Sequence, residues 1–383
     1  MEIMRILVLT ATYLPTINGV SVYINQHKRE MEKLGHRVLI VAPHHPHQKP
    51  ESGVIRMPSI HNPLSPDYPL VIPYLNNLNQ KVITSFEPQI IIFHHPYVIS
   101  NLAYKLSNQF NIPKIFIYHT RYDLYLSHYL PKFLISKVFL NPVRKSVSQS
   151  DLVIAETPTL EKSLHAQYPK ARIQLLVTGL PSMAYIKKTK KELRAIYHLP
   201  PAGTILLNVG RLAAEKNLET LVKIYSQIEN LDQTHLVLIG DGPQKNYLVT
   251  LTNSLKLAQH VTFLGSFSPD LMPQIYSLAD IYVYTSLTET QGFTILEAMS
   301  AGLPIVALKA PGPQDFVTQN KNGFLAKNET EMVNYLKILL SDRNLQKKLS
   351  KSAISAASQF TISSWSDSWN QLLKSSSLSY SRI

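Results

Sequence analysis

Short apolar runs recur along this chain, and a helical pattern separates most of them. Each run spans five to eight residues and is rich in Ile, Val and Leu. Strands that alternate with helices build parallel sheets with helices on both faces, so the pattern predicts an α/β fold. The runs fall into two series. The first contains Arg5–Ala11, His36–Pro43, Gln89–His94, Lys114–His119, Asp151–Glu156 and Ile173–Val177, and the second contains Thr204–Val209, His235–Gly240, Val261–Gly265, Asp280–Thr285 and Pro304–Leu308.

Two series of strands in 383 residues indicate two domains, each long enough to bury its own core. Residues 178–201, which carry a cluster of lysines, read as the linker between them. We therefore expect a first domain at 1–185 and a second at 186–360. The final stretch, 361–383, begins with a helical pattern in which Trp365 and Trp369 recur at helical spacing, together with two leucines.

Composition narrows the class of protein. The net charge is +13, which favours an anionic partner such as a lipid surface, nucleic acid or phosphorylated substrate. There is no cysteine, which excludes disulfides and thiolate metal sites and fits a cytoplasmic protein. The first residues move straight into a strand pattern without a signal-peptide cleavage site, and no apolar run is long enough to span a membrane.

Residues 289–302, with the sequence ETQGFTILEAMSAG, lie between two of the apolar runs and predict a loop followed by a short helix. Gly292 has no Cβ, so the backbone there can approach a ligand closely. The N–H groups that follow, at Phe293 and Thr294, begin the helix without intrahelical partners and form an anion site. Glu289 and Glu297 bracket that site, where polar acceptors suit the two ends of a nucleotide sugar.

The longer stretch ETQGFTILEAMSAGLPIVA resembles the E-x7-E signature of the retaining glycosyltransferases of family four. The resemblance implies an α/β protein of the GT-B fold, with two Rossmann-like βαβ domains facing across a cleft and a nucleotide-diphospho-sugar as donor. It also implies that Glu289 approaches the transferred sugar and that Glu297 hydrogen-bonds the nucleotide ribose. The last helix is then expected to cross back and pack on the first domain.

Two further loops of the second domain match the same family. In GRLAAEKN, Arg211 and Lys216 place a cation on each side of a strand-to-helix loop, where both can contact a diphosphate and neutralise the leaving group. The loop GDGP after the next strand is expected to shape the pocket. It begins like a dinucleotide fingerprint, but Lys245 stands where the third glycine would be, so a nicotinamide cofactor is poorly supported.

Candidate residues in the first domain follow its predicted strands. Gly19 lies in the loop after the first strand, where open parallel sheets bind ligands, and a loop glycine in this place faces the donor in the resembled family. His119 ends a strand and can donate a hydrogen bond or shuttle a proton. A histidine followed by threonine at this strand end recurs in the family and implies a catalytic role beside the donor sugar. Tyr122 and Asp123 are acceptor-side candidates.

A metal ion is not expected. The chain contains no Asp-x-Asp motif, which metal-dependent glycosyltransferases commonly use to hold a divalent ion on the diphosphate. The histidines of PHHPHQ have no fixed helical spacing and predict a loop instead of a metal site. Arg211, Lys216 and the helix start are expected to replace the ion, so transfer is predicted to be independent of metals and of any other cofactor.

Residues 127–150 combine apolar and basic side chains in a pattern typical of helices that lie in a membrane interface. A surface helix that packs on its own domain fits equally well, and Pro142 is expected to kink or end the helix. The first 185 residues carry 18 Lys and Arg against 10 Asp and Glu. Such an excess favours reversible binding to an anionic leaflet.

Together these features are similar to the bacterial diacylglycerol glucosyltransferases of the family. They predict a hexosyltransferase that moves glucose from UDP-glucose to diacylglycerol with retention of configuration, peripherally on the cytoplasmic face of the membrane. Front-face attack by the acceptor is the favoured mechanism, since no nucleophile is evident. Transfer to a saccharide or polyprenol-linked glycan is an alternative. A non-catalytic protein that binds anionic membranes or nucleic acid is a third, although no recognised nucleic-acid module is present.

Overall fold

The computed structural model describes residues 3–60, 62, 69–72, 75–125, 139–180 and 188–379, without the side chains of Asp123, Tyr125 and 376–379. The chain forms two compact units. Met1–Gly179 and Ile362–Ile383 make up the first, and Leu180–Thr361 makes up the second. The units therefore divide six residues before the predicted boundary at residue 185.

The first unit is built on a seven-stranded sheet in the order β3-β2-β1-β6-β7-β8-β9, in which every neighbouring pair is parallel. β4 and β5 form a separate antiparallel pair. The strands are β1 (Arg5–Leu9), β2 (Arg37–Pro43), β3 (Val54–Met57), β4 (Ser59–Ile60), β5 (Leu70–Val71), β6 (Ile90–Phe93), β7 (Lys114–Ile117), β8 (Leu152–Ala155) and β9 (Ile173–Leu175). The helices are Gly19–Lys33, Asn77–Phe86, Val98–Phe110, Tyr122–Tyr125, Leu140–Gln149, Pro158–Gln167 and Ile362–Ser379.

Alternate residues of β1 enter two different cores. Leu7 and Leu9 lie in the core on one face of the sheet, and Ile6 and Val8 lie in the core on the other. A strand buried on both faces has no polar side to alternate with, which is why its sequence is continuously apolar. Trp369, fully buried, belongs to the same core as Ile6, so the last helix packs on the first unit as the resemblance implied.

The second unit is built on a six-stranded parallel sheet in the order β12-β11-β10-β13-β14-β15. Its strands are β10 (Thr204–Val209), β11 (Thr234–Ile239), β12 (Val261–Gly265), β13 (Ile281–Tyr284), β14 (Ile305–Leu308) and β15 (Gly323–Ala326). Its α-helices are Lys190–Ile196, Leu218–Tyr225, Lys245–Ser254, Met272–Ser277, Phe293–Ser300, Pro313–Phe316, Glu329–Ser341 and Arg343–Ala357. Short 3₁₀ helices cover Ala214–Lys216, Leu231–Gln233 and Pro269–Leu271.

Each sheet has a point where its strand order reverses. In the first unit it lies between β1 and β6, and in the second between β10 and β13. Chain segments leave the two strands in opposite directions there and open a crevice at the carboxyl ends, which is where such sheets bind ligands. The loops that follow β10 and β13, GRLAAEKN and ETQG, are among those that sequence motifs had singled out.

All eleven predicted strands are present, with ends that differ by up to two residues. The strands that were missed, β3 and β15 among them, are short and lie at sheet edges or in the two-stranded ribbon. Pro142, which was expected to kink or end a helix, lies in the first turn of Leu140–Gln149. Residues 126–138, which precede this helix, lie outside the described part of the chain, so the effect of Pro142 on them stays a prediction. Among the described residues, no helix is long and apolar enough to cross a bilayer.

Candidate active site

The loop after β10 is shaped by close backbone packing. Gly240 adopts φ +129°, and a Cβ added there would lie 2.0 Å from the carbonyl oxygen of Gly210. The N–H of Leu212 donates to the carbonyl oxygen of Asp241 at 2.9 Å. The GDGP loop thus supports the backbone on either side of Arg211 and fixes where that half-buried side chain starts. Only glycine fits at position 240, because any other residue would displace the loop.

Lys216 and Glu289 form an ion pair at the switch point of the second sheet. Lys216 ends the 3₁₀ helix Ala214–Lys216, and the hydroxyl of Ser286 also donates to Oε1 of Glu289, at 2.9 Å. The side chain of Glu289 is 17% exposed. Sequence motifs predicted Glu289 as catalytic and Lys216 as donor-binding but gave no sign of the pair, because the two residues lie far apart in the chain.

The surroundings of Glu289 keep it ionised. Burial by itself raises the pKa of this carboxyl, but the charge of Lys216 and the hydrogen bonds from Lys216, Ser286 and Tyr284 outweigh burial, and the pKa lies below its ordinary value. A carboxylate that is held ionised and half-buried is a strong acceptor for hydroxyl groups. The ammonium beside it carries the charge that a phosphate group needs.

Glu297 lies in the helix Phe293–Ser300 in different surroundings. The hydroxyl of Tyr276 donates to Oε2 of Glu297 at 2.6 Å. Burial raises the pKa of Glu297 to about 7, although the hydrogen bond from Tyr276 lowers it. Glu297 therefore changes charge near neutral pH while Glu289 stays ionised. Carboxyl groups whose environments separate their pKa values are typical of functional sites.

The start of this helix has the geometry that the sequence predicted for Gly292. The residue is left-handed, with φ +69° and ψ +51°, and it precedes Phe293 without a side-chain cap. The hydroxyl of Thr294 accepts from the Tyr282 hydroxyl at 2.8 Å. Nε2 of the buried Gln291 has no hydrogen-bond partner among the described residues. Backbone and side-chain donors thus gather at the helix start, where an anion is stabilised.

His119 lies at the carboxyl end of β7 in the first unit. Its Nδ1 is 3.0 Å from Oε2 of Glu156, and its Nε2 is 2.7 Å from Nδ1 of His94. The hydroxyl of Thr178 donates to the other oxygen of Glu156 at 3.3 Å. Sequence reasoning selected His119 and missed its two partners. A signal was present, since His94 and Glu156 also end predicted strands.

The remaining candidates of the first unit fit less well. Gly19 is not a loop residue; it begins the helix Gly19–Lys33, which Asn18 caps, and a Cβ added there would meet nothing within 4 Å. Tyr122 was predicted to line the acceptor side, but it is 7% exposed and its ring packs in the core against Tyr97 and Tyr118. The side chain of Asp123 lies outside the described residues.

The basic amphipathic segment falls mostly outside the described part of the chain, which omits residues 126–138. Its last portion, the helix Leu140–Gln149, buries Val143 and Val147 in the first unit. Within the described ranges, no group of three or more His, Asp or Glu side chains has the geometry of a metal site. Metal-independent transfer stays a prediction.

Comparisons with known proteins agree with this geometry. Residues 17–181 match the family model described as Glycosyltransferase Family 4, and residues 189–356 match the model described as Glycosyl transferases group 1. The alpha-monoglucosyldiacylglycerol synthase of Streptococcus pneumoniae is 26% identical over 339 residues, which cover 86% of this chain and 76% of that protein. The GDP-mannose-dependent alpha-mannosyltransferase of Corynebacterium glutamicum is 26% identical over 84% of this chain and 76% of its own length.

A solved structure of similar fold is that of Anabaena HepE in complex with UDP-glucose. It superposes with a TM-score of 0.76 at 20% identity and covers 97% of this chain and 99% of that one. The fold is therefore GT-B, and the alternative of a non-catalytic binding protein is not retained. With a family 4 domain in its first half and a group 1 domain in its second, the chain belongs to the family 4 glycosyltransferases of the GT-B fold.

Proposed function

We propose that this enzyme transfers glucose from UDP-glucose to diacylglycerol at the cytoplasmic surface of an anionic membrane, with retention of configuration. The observation that carries the proposal is the Lys216–Glu289 pair beside the open helix start at Gly292. In the proposed reaction the Glu289 carboxylate accepts hydrogen bonds from hydroxyls of the transferred sugar. Lys216 and Arg211 neutralise the charge that develops on the departing diphosphate.

Other residues of the second unit complete the proposed donor site. Glu297 hydrogen-bonds the ribose hydroxyls, and the N–H groups of Phe293 and Thr294 bind the diphosphate. Two cations and a helix start supply the electrostatic stabilisation that a divalent ion supplies elsewhere, so the proposed transfer needs no metal. The HepE complex with UDP-glucose supports a nucleotide sugar of this kind as donor.

The proposed lipid acceptor is supported by exposed apolar side chains at one end of the first sheet. They follow the carboxyl ends of β1, β3 and β6, strands that lie close together in that sheet. Parallel strands end at the same edge, so these side chains lie on the side where the fold binds ligands. Clustered exposed apolar side chains favour contact with a membrane. They are Ile17, Ile60, Leu70, Ile72 and Val98, each between 38% and 57% exposed.

A second candidate function is transfer of a hexose to a saccharide or polyprenol-linked glycan. A relative whose name gives GDP-mannose as donor and no lipid acceptor favours it, because its identity to this chain equals that of the alpha-monoglucosyldiacylglycerol synthase. Diacylglycerol and a soluble saccharide differ as acceptors in their need for a surface. A lipid acceptor requires a micelle or vesicle, and a soluble sugar acceptor does not.

The test is a transfer assay with radiolabelled UDP-glucose, UDP-galactose or GDP-mannose and diacylglycerol in anionic mixed micelles, with and without EDTA. We expect a glucolipid that forms equally well with EDTA and whose new bond is α by NMR. A β product would contradict retention. Sugar release without glycolipid would contradict the lipid acceptor, and labelled lipid from GDP-mannose alone would contradict the donor.

Glu289→Gln tests the Lys216–Glu289 ion pair, on which the proposal rests, in the same assay. We expect transfer to fall by a factor of about 100 or more, because the neutral amide is a weaker acceptor and Lys216 loses its partner. Glu219→Gln is the matched control, since it breaks an ion pair with Lys223 on the surface of the same unit. We expect the control to keep wild-type activity. Equal activity of both variants would contradict the proposed role of Glu289.

A further inference from the structure

Three buried side chains form a row along the carboxyl edge of the first sheet. His94, His119 and Glu156 follow β6, β7 and β8, which are consecutive neighbours in the sheet. His94 is fully buried, and the side chains of His119 and Glu156 are 6% and 4% exposed. Parallel pairing therefore brings residues from three distant parts of the chain into one hydrogen-bonded line.

The chemistry of Glu156 fixes one proton in this line. A carboxylate has only acceptor sites, so the 3.0 Å contact with His119 requires a proton on Nδ1 of the imidazole. The second oxygen of Glu156 accepts from Thr178 at 3.3 Å, which holds the carboxylate in place. His119 is thus held in one tautomer, with the proton on Nδ1 and an acceptor at Nε2.

Nδ1 of His94 is the hydrogen-bond partner of Nε2 of His119. Burial, followed by the neighbouring histidines, lowers the pKa of His94 well below its ordinary value, so its imidazole stays neutral. A neutral imidazole has one donor and one acceptor. With the proton of His119 on Nδ1, its Nε2 is an acceptor, so Nδ1–H of His94 donates to it at 2.7 Å.

The ring of His119 is also held from the side. Tyr23, from the helix Gly19–Lys33, meets it edge-on at 4.8 Å between ring centroids. Trp365 of the last helix meets Tyr23 edge-on at 5.4 Å. Rotation of the imidazole would break both hydrogen bonds and this packing, so the side chain has one orientation.

We propose that Glu156 and His94 are positioning residues for glycosyl transfer, which act through His119 by fixing its tautomer and orientation. The inference rests on the proposed function, because it takes His119 to have the catalytic role that the family resemblance implied. It assigns roles to two residues that no sequence motif had selected. Neither residue is proposed to touch the substrate.

The test combines kinetics with NMR of the full-length enzyme. Glu156→Gln keeps the size of the side chain and one acceptor oxygen but removes the charge, and Glu156→Leu removes the acceptor as well. We expect kcat to fall about tenfold in the first variant and about 100-fold in the second, with KM for the nucleotide sugar changed less than about twofold. Glu156→Asp is expected to restore part of the loss relative to leucine.

Asp151→Asn is the matched control. Asp151 lies just before the same strand, β8, at its opposite end, and forms an ion pair with Lys114 at 3.2 Å. The substitution removes a carboxylate beside the same strand without changing a contact of His119, so we expect wild-type kcat. If it lowers kcat as much as Glu156→Gln does, the effect is general destabilisation and the inference is wrong.

Long-range ¹⁵N–¹H spectra of the histidine side chains give a readout independent of activity. His119 signals, assigned by their loss in His119→Gln, are expected to show a protonated Nδ1 in the wild type and a mixture of tautomers in Glu156→Leu. An unchanged tautomer in that variant would overturn the inference even if kcat falls. If the wild type transfers no sugar at all, the proposed function fails, and the spectra still decide whether Glu156 fixes the imidazole.

Discussion

Glu289 and Glu297 belong to one loop and helix, yet their surroundings shift their pKa values in opposite directions. An ammonium and several donors face Glu289, whereas burial dominates at Glu297. The spacing of the two glutamates identified both as site residues. It could not predict this difference, because the partners Lys216 and Tyr276 come from other parts of the chain.

The pKa of about 7 at Glu297 predicts that nucleotide binding depends on pH. In the proposed donor site, ribose hydroxyls donate to the carboxylate form of Glu297, so a proton competes with the nucleotide below that pKa. Because the shift raises the pKa, the binding form is complete above about pH 8 and is lost as the pH falls. We expect Kd for UDP to rise about tenfold from about pH 8 to about pH 6, measured by calorimetry.

Glu297→Gln separates this effect from protonation of the nucleotide itself. The variant lacks the titrating group, so the pH dependence that remains belongs to the phosphate, whose second pKa is near 6. We expect weaker binding at high pH and a flatter curve than in the wild type. Parallel curves for the two proteins would show that Glu297 does not contact the nucleotide.

At the scale of elements, the strands could be predicted because each is a short apolar run that a turn signal ends. The edge strand β3 could not, since its alternating buried and half-buried residues need no continuous apolar run. The edge strand β15 is mostly buried, but its apolar run is only four residues long. The Glu156–His119–His94 line could not be predicted from the sequence for a related reason. The sequence places each residue at a strand end, but only the strand order makes β6, β7 and β8 neighbours.

Gly240→Ala tests how the GDGP loop after β11 supports the GRLAAEKN loop after β10. The added methyl would meet the carbonyl oxygen of Gly210 at 2.0 Å, so the Gly210–Arg211 backbone must move. We expect at least about a tenfold loss of UDP affinity and a destabilisation of roughly 3 kcal/mol, measured by calorimetry and chemical unfolding.

Gly265→Ala is the control for backbone strain. Gly265 also has positive φ, at +76°, but an added Cβ there would meet nothing within 4 Å. Its cost is therefore the left-handed conformation alone, about 1 kcal/mol. Similar losses of affinity in the two variants would mean that the contact with Gly210 does not fix the loop.

The last helix buries a histidine that should make the first unit sensitive to acid. His27 is fully buried, its ring lies 4.6 Å from that of Trp369, and burial lowers its pKa to about 3. The unfolded chain takes up a proton near pH 6.5, so stability is complete above that pH and falls as the pH drops towards 3. From about pH 7 to about pH 4.5 the loss through His27 is about 2 to 3 kcal/mol.

His27→Phe is expected to remove that part of the acid dependence. The chain has two tryptophans, Trp365 and Trp369, and both lie in this helix, so their fluorescence during urea unfolding reports on the contact. Replacing the exposed His165 by Phe is the control and should leave the wild-type slope. If the His27 variant also loses stability with the wild-type slope, His27 is not the titrating group.

For the whole molecule, the excess of basic residues and the exposed apolar side chains are expected to contribute to the proposed membrane binding in different ways. The net charge of +13 attracts an anionic surface over a distance that salt shortens. Insertion of Ile60, Leu70 and Ile72 into the lipid interface, as proposed, is expected to be insensitive to salt. The two contributions can therefore be separated by ionic strength.

We expect the enzyme to sediment with vesicles rich in anionic lipid, and the bound fraction to fall as NaCl rises from about 50 mM to about 500 mM, where charges are screened within a few ångströms. Ile60→Ser/Leu70→Ser/Ile72→Ser should lose the binding that persists at high salt and keep most of the salt-dependent part. Such a result would show that Ile60, Leu70 and Ile72 contact the membrane and that the net charge supplies the long-range attraction. Binding that is equal on zwitterionic vesicles would contradict the electrostatic contribution. Unchanged high-salt binding of the triple variant would instead direct attention to other surfaces of the first unit as the lipid contact.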